Sequence, residues 1–282
     1  MSLGTVEMNI AYQGEPGAYS EAAARRFNSE ADVSPRETFD DVFKAVKRGE
    51  VTHGILPIEN SVAGTIHRNY DLLLEHELPI VGEVQLPIVH NLLAHAGTSI
   101  ADIRRVYSHP QALAQCERFL RTLHKIELVA TYDTAGSAKM IHEGELRDAG
   151  AIASERAGQV FGLTVLQSEI QDYADNITRF LLVSREVIPF GIPDKTTVVF
   201  ALGNEAGALF KALSVFALRE IVLTKLESRP IPGRPFEYLF YVDLIADSQE
   251  LRCSRALAHL AEFAPLLRTL GSYPHWKEPD RK

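Results

Sequence analysis

The chain has 282 residues, 46% hydrophobic and 23% charged, the balance of an ordinary globular protein with room for one large or two moderate domains. Its formal net charge of −8 and its scattered Lys and Arg argue against non-specific nucleic-acid binding. An anionic ligand must therefore be held by local groups, against the field of the whole chain. No stretch approaches the roughly 18 apolar residues of a membrane span, so no membrane partner is expected. Met1-Ser2-Leu3-Gly4-Thr5 lacks a basic region followed by an apolar core, so no signal peptide is expected. Cys116 and Cys253 stand far apart with no CxxC, the usage of a reduced, cytoplasmic protein.

In chain order, Asn9-Ile10-Ala11-Tyr12-Gln13-Gly14 reads as a short strand ending in a glycine turn. A helix over about 21–27 follows, with Ser20 as its N-cap. Residues 38–46 carry apolar side chains at helical spacing, capped by Thr38 or Asp40. Residues 53–58 form a strand ended by Glu59-Asn60-Ser61, and Thr65 begins a helix through Tyr70 and Leu74. The stretch 81–89 is extended. Arg105-Val106-Tyr107 leads through Ser108-His109-Pro110-Gln111 into a helix to about Leu123, with Pro110 in the first turn. Strands at 128–130 and 149–153 lead into helices that begin at Asp133-Thr134 and Ser154-Glu155.

Strands alternating with helices predict a parallel sheet covered by helices. After almost every strand a Ser, Thr, Asn or Asp stands at a helix start. Ligands bind beyond the carboxyl ends of such sheets, where helix N-termini present unpaired N–H groups suited to an anion. Each of these residues alone reads as a cap, Thr134 and Ser154 included. Together they favour an anion pocket only modestly.

Asp175-Asn176-Ile177-Thr178-Arg179-Phe180 packs a carboxylate, an amide, a hydroxyl and a guanidinium ahead of an apolar strand. The segments near 81–89 and 170–183 read as two crossovers between lobes, placing Thr178 and Arg179 at a hinge in a cleft. Pro189-Phe190-Gly191-Ile192-Pro193-Asp194 reads as a linker. Beyond it come a strand (196–202), a loop, a helix (208–218), a strand (222–226), a turn from Glu227 to Gly233, a strand (236–246), a helix (250–267) and a strand (269–273). That β-α-β-β-α-β order predicts a ferredoxin-like sandwich, small enough to be marginal alone and with a face or edge free to pair with another subunit.

Six motifs together resemble the prephenate dehydratases. They are Ala11-Tyr12-Gln13-Gly14 with Gly17-Ala18-Tyr19-Ser20, Pro57-Ile58-Glu59-Asn60-Ser61, Ser108-His109-Pro110-Gln111-Ala112, Thr178-Arg179-Phe180, Gly207-Ala208-Leu209-Phe210 and Glu227-Ser228-Arg229-Pro230. The resemblance runs from Met8 to Tyr273. It implies an α/β protein with a two-lobed catalytic domain similar to periplasmic binding proteins, residues 8–188, and an ACT regulatory domain, residues 195–275. No chorismate mutase segment precedes the catalytic part, so the monofunctional form is expected. The implied reaction is the decarboxylating dehydration of prephenate to phenylpyruvate, on the route to phenylalanine. His67-Arg68-Asn69-Tyr70-Asp71-Leu72-Leu73-Leu74 and Leu270-Gly271-Ser272-Tyr273-Pro274 also resemble the plant arogenate dehydratases, which keeps arogenate open as the substrate.

The resemblance marks Thr178 as essential. Its hydroxyl is too weak an acid to release its proton freely, so it donates a hydrogen bond to the departing oxygen or relays a proton. Arg179 either holds a carboxylate bidentately or pairs internally with Asp175 or Glu59. Phe180 contacts substrate or packs its strand. Gln13, Gly14 and Ser20 are expected to donate hydrogen bonds at one helix start. Asn60, Ser61 and Thr65 are expected as carboxylate or carbonyl partners, with Asn176 beside them. Ser108 and His109 are wall residues, and His109 is the conventional proton donor among these motifs unless it merely caps its helix. No metal-ligand spacing, P-loop or GxGxxG occurs, and no cofactor is expected. In the last domain the resemblance implies an L-phenylalanine site from Asn204, Gly207, Ala208, Leu209 and Phe210, closed by Glu227, Ser228, Arg229 and Pro230 of a neighbouring subunit, in a homodimer or homotetramer. A two-lobed amino-acid sensor without catalysis is the reading from another class.

Overall fold

The structure is a computed structural model that describes residues 8–187, 190–231 and 233–277. Expectations for residues 1–7, for the end of the 8–188 domain, for Pro189 and for Pro232 lie outside the described residues. By internal packing the chain divides into two compact units, Met1–Leu72 with Val84–Phe180, and Leu73–Glu83 with Leu181–Lys282.

Two sheets hold the first eleven strands. One holds β1 (Asn9–Gln13), β2 (Asp32–Arg36), β3 (His53–Asn60), β4 (Gly64–Thr65), β5 (Ile80–Pro87) and β11 (Ile177–Ser184), in the order β2-β1-β3-β11-β5 with β4 on β3. The other holds β6 (Asn91–Ala94), β7 (Arg105–Ser108), β8 (Glu127–Ala130), β9 (Ala149–Ala153) and β10 (Thr164–Gln167), in the order β10-β6-β9-β7-β8. The chain leaves the first sheet after Pro87, enters the second at Asn91, and returns between Gln167 and Ile177.

The expected parallel pairing describes β1 with β2 and β3, and β7 with β8 and β9. It does not describe β6, which runs antiparallel to both β9 and β10. The sheets are mixed because a strand entering from another sheet is not tied to a helical crossover. The short strands β2, β6 and β10 escaped the sequence reading. Asp32-Val33-Ser34-Pro35-Arg36 carries a proline and two charges, a composition a strand tolerates at a sheet edge, where β2 lies.

Helix starts place the site, and two differ from expectation. α1 (Tyr19–Phe27) begins at Tyr19 with Ala18 at the N-cap, so Ser20 lies inside the first turn. No side chain caps α1; ahead of it the Gly17 N–H donates to Glu21 Oε2 at 2.6 Å. Thr65 belongs to β4, opposite Glu59 of β3, and α3 (His67–His76) starts two residues later. Thr38, Asp133 and Ser154 do cap α2 (Phe39–Arg48), α6 (Thr134–Glu143) and α7 (Glu155–Phe161). The helix expected up to Leu123 is two short pieces, α4 (Pro110–Gln115) and α5 (Glu117–Leu120), broken at Cys116.

Gly17 sits at φ +90, and a Cβ there would lie 2.6 Å from Ala157 Cα. The bare backbone lets the start of α1 meet the start of α7. Ser154 Oγ donates to Gly17 O across this contact at 2.6 Å. Glu21 is buried and receives hydrogen bonds from both Arg25 and Arg156. Burial opposes its charge, but the bonds from Arg156, the Gly17 N–H and Arg25 outweigh burial and hold its carboxyl below the usual range.

The second unit contains β12 (Lys195–Ala201), α8 (Ala208–Ala217), β13 (Leu223–Ile231), β14 (Arg234–Leu244), α9 (Leu251–Ala261) and β15 (Leu266–Tyr273). The antiparallel order β13-β14-β12-β15 is the ferredoxin-like arrangement. Its core is made by Val198, Phe200, Val215, Phe216, Val242 and Leu260. Two expectations fail here. Residues 227–231 are strand, not turn, and pair with β14. α9 stops at Ala261, short of Pro265, which cannot continue a helix. Among the described residues no helix is long and apolar enough to cross a membrane.

Candidate active site

A cavity of about 350 Å³ opens in the first unit. Its wall takes Gln13, Gly14, Tyr19 and Ser20 from β1 and the start of α1, and Pro57 and Asn60 from β3. His109, Gln111 and Gln115 come from α4 and its cap; Tyr132, Asp133 and Thr134 from the start of α6; Ile88 and His90 from the passage between the sheets; and Thr178 and Phe180 from β11. The volume suits a ligand of about metabolite size. Among these lining residues there is no Lys or Arg.

The polarity of the site is set by two backbone amides. Val62 N and Ala63 N donate to Asn60 Oδ1 at 3.0 and 2.8 Å. A backbone N–H can only donate, so the amide nitrogen of Asn60 faces the other way. It donates to Asn176 Oδ1 at 2.7 Å and to Thr178 Oγ1 at 2.9 Å. Asn176 Nδ2 then donates to Gln115 Oε1 at 3.0 Å, and Gln115 Nε2 returns to Asn60 Oδ1 at 3.3 Å. All three amides are buried. Thr178 Oγ1 thus receives a hydrogen bond, and its own proton has no acceptor among the described residues. The proton is directed into the cavity.

The expected residues divide accordingly. Gln13, Gly14, Ser20, Asn60, His109, Thr178 and Phe180 line the cavity; Asn176 stands behind it within the amide network. Ser61 braces β11 from outside: its hydroxyl donates to Asp175 O at 2.7 Å and accepts from Ile177 N at 2.9 Å. Ser108 is fully buried and donates to Ile152 O, so it ties β7 to β9 and does not form the wall. Arg179 is buried and pairs with Glu59 at 2.8 Å. Strand alternation turns it away from the face that carries Thr178 and Phe180. Of the two readings left open for Arg179, the structure supports the internal ion pair.

His109 caps α4 by accepting from Gln111 N at 3.2 Å through Nδ1. Burial holds its imidazole below the usual range, partly offset by Asp133. Asp133 is pushed the other way, above the usual carboxyl range, chiefly by burial. His90, Gln115 and Tyr132 line the cavity without having been singled out in the sequence, and Tyr19 entered only as a member of the motif Gly17-Ala18-Tyr19-Ser20. Gln115 was within reach of helical spacing, four residues after Gln111. His90 carries no such local signal.

In the second unit, Gly207 opens α8 at φ +79 and Ala208 lines a cavity of about 420 Å³ with Leu202, Glu205, Lys211, Phe263 and Pro265. Asn204, Leu209, Phe210, Glu227, Ser228, Arg229 and Pro230 do not line it. Glu227, Ser228, Arg229 and Pro230 lie along β13 at the sheet edge.

A two-lobed α/β domain with its polar cavity beyond the strand ends, followed by a ferredoxin-like domain, defines the class: a catalytic domain like the periplasmic binding proteins with an ACT-like regulatory module. The model of the prephenate dehydratase family matches residues 10–187, and the chain belongs to that family. It is 52% identical over 280 residues to the Arabidopsis thaliana arogenate dehydratase/prephenate dehydratase 2, chloroplastic, covering 95% of this chain and 73% of that one. Among solved structures, the prephenate dehydratase of Arthrobacter aurescens in complex with L-Phe superposes with a TM-score of 0.86 at 34% identity, covering 94% and 89% of the two chains. GqqA, described as a novel type of quorum quenching acylase, superposes with a TM-score of 0.87 at 35% identity, covering 95% and 98%.

Proposed function

We propose that this chain catalyses the decarboxylating dehydration of prephenate to phenylpyruvate in the cavity around Thr178, with arogenate as the alternative substrate. The observation that carries this reading is the donor order of the buried amides, which aims the Thr178 proton into the cavity. In the reaction the ring carboxylate leaves as carbon dioxide, the ring hydroxyl leaves as water, and the ring becomes aromatic. Driving force is ample; the barrier is expulsion of a poor leaving group. A pre-aimed hydroxyl donor stabilises the charge that grows on the departing oxygen and costs no reorganisation during the step.

The carboxylates are met by neutral groups. The first-turn N–H groups of α1 and α6 and the side chains of Gln13, Ser20 and Thr134 offer donors at positive helix ends. Asp133 caps α6, its carboxylate accepting from Gly136 N. The apolar walls Pro57, Ile66, Ile88 and Phe180 surround the ring carboxylate with a drier medium, which favours its loss as neutral carbon dioxide. Arg179 then acts from behind β11 by fixing it to Glu59.

Acyl transfer is less well supported. A nucleophilic hydroxyl must donate to a base, and among the described residues Thr178 Oγ1 has none: it only accepts, from the Asn60 amide. The prephenate–arogenate choice is read by product: phenylpyruvate from prephenate, phenylalanine from arogenate. We expect turnover of at least one substrate. Binding of both without turnover would instead make the protein a sensor.

The C-terminal unit is proposed to bind L-phenylalanine at the start of α8 and to lower activity in response. Adding L-phenylalanine to the same assay should depress the rate, by a coupling of about 1–3 kcal/mol. A curve flat to millimolar levels would overturn this. A homodimer or homotetramer is supported by Phe210, Leu218, Val222, Leu226, Phe236 and Tyr238, all apolar and exposed in this unit, and by the open edge at β13. Cys116 and Cys253 are free and buried, in keeping with a reducing compartment. A cytoplasmic site is proposed on that ground, although the Arabidopsis relative is described as chloroplastic.

A further inference from the structure

The amide order that directs Thr178 has a second consequence at the far end of the network. Gln115 Oε1 lies 2.9 Å from His90 Nε2. Because that oxygen is an acceptor, His90 Nε2 must carry a proton. The tautomer of His90 is therefore fixed through Gln115, Asn176 and Asn60 by the backbone amides of Val62 and Ala63. His90 Nδ1 faces the Tyr19 hydroxyl at 2.9 Å, and that hydroxyl also lies 2.7 Å from Val89 O.

With neutral His90, the one proton of Tyr19 must serve two acceptors, Nδ1 and Val89 O. With His90 protonated, Nδ1–H donates to Tyr19, Tyr19 donates to Val89 O, and every contact is complementary. The hydrogen bonds favour the cation; burial opposes it and holds the imidazole below its usual range, with Gln115 pulling the other way. The neighbours that bond to or act on the pair are Gln115, Gln171 and Cys116. Gln171 bonds to His90 N. Cys116, which acts on Tyr19, has its thiol pushed up to about 12, mainly by burial. A dianionic substrate in the cavity supplies the missing negative charge and tips the balance to the cation.

We propose that the Tyr19–His90 pair is the proton source for the departing hydroxyl, Tyr19 delivering the proton and His90 replacing it. This rests on the dehydratase reading. The ring C–O bond breaks with its electron pair on oxygen, which takes the Tyr19 proton as the hydroxyl turns from Val89 O into the cavity, and Tyr19 takes the proton of His90 Nδ1. The bond to the ring carboxylate breaks, its electrons enter the ring, and carbon dioxide leaves. His90 ends neutral and is recharged from solvent. Tyr19, His90 and Thr178 all line the cavity, Thr178 as the hydrogen-bond donor. The pair supplies the net proton that a threonine cannot.

The test is the pH profile of kcat and KM on whichever substrate the full-length wild-type protein turns over, with Tyr19→Phe and His90→Gln alongside. A wild-type protein inactive on both substrates sinks the dehydratase reading itself. With active wild type, kcat should fall on the alkaline side as His90 loses its proton. Each variant should lose at least about tenfold in kcat with KM little changed, and the remaining rate should no longer show that alkaline fall. A variant that keeps kcat within about twofold, or keeps the wild-type alkaline limb, overturns the proposal. A measurement on unmutated protein stands beside this: ¹⁵N signals of histidine-labelled enzyme with phenylsuccinate, a dicarboxylate, as the dianion. The His90 signals should show Nε2–H throughout and Nδ1 gaining a proton on binding. An Nδ1–H tautomer in the free protein, or no change at Nδ1, overturns it as well.

Discussion

Thr178→Ala is expected to lower kcat by about 10²–10³-fold, the range for removal of one pre-aimed donor to a developing oxyanion, while KM changes little. The protein should remain folded. The variant deletes one acceptor of the Asn60 amide, and Asn60 Nδ2 keeps Asn176 Oδ1, so the stability loss is about 1 kcal/mol. Thr178→Ser, which retains the hydroxyl, should recover most of the rate. Near-normal turnover in the alanine variant would remove Thr178 from the mechanism. Equal loss in Thr178→Ser and Thr178→Ala would show that the methyl group and packing matter, not the donor.

The second large effect is expected from Asn60→Asp. A carboxylate at this position still accepts from Val62 N and Ala63 N, but it has no proton to give Thr178 or Asn176. Thr178 must then donate to residue 60, and its proton turns away from the cavity. We expect a loss of about 10²-fold in kcat. Because the two residues act as one unit, Asn60→Asp combined with Thr178→Ala should cost little more than the worse single change. Additive losses would separate the two residues and refute the polarity argument. Thermal unfolding of the variants, followed in parallel, distinguishes lost chemistry from lost structure.

The motif Thr178-Arg179-Phe180 shows how far the sequence could be read. It marked the site, but alternation along β11 divides it: residues 178 and 180 face the cavity, while 179 faces Glu59. Ser108 and His109 were read as a pair of wall residues. They separate in the same way, Ser108 ending β7 inside the sheet and His109 capping the next helix at the cavity. In the second unit, Glu227-Ser228-Arg229-Pro230 resembled a turn because of its proline and polar residues. Its edge position lets β13 accept a proline that a central strand would reject.

The sequence by itself determined the family and most of the helix starts. These rest on local rules: caps lie beside the helices they begin, and motifs keep their residues together. The β-α-β-β-α-β order was equally legible because it follows directly from apolar periodicity. Only the tertiary structure decided which polar side chains share the cavity and which way their protons point. Asn60, Gln115, Asn176 and His90 lie up to 116 residues apart, as between Asn60 and Asn176, and no spacing rule connects them. Their donor order is fixed by two backbone amides in the β3–β4 turn, a constraint that exists only once the chain has folded around it.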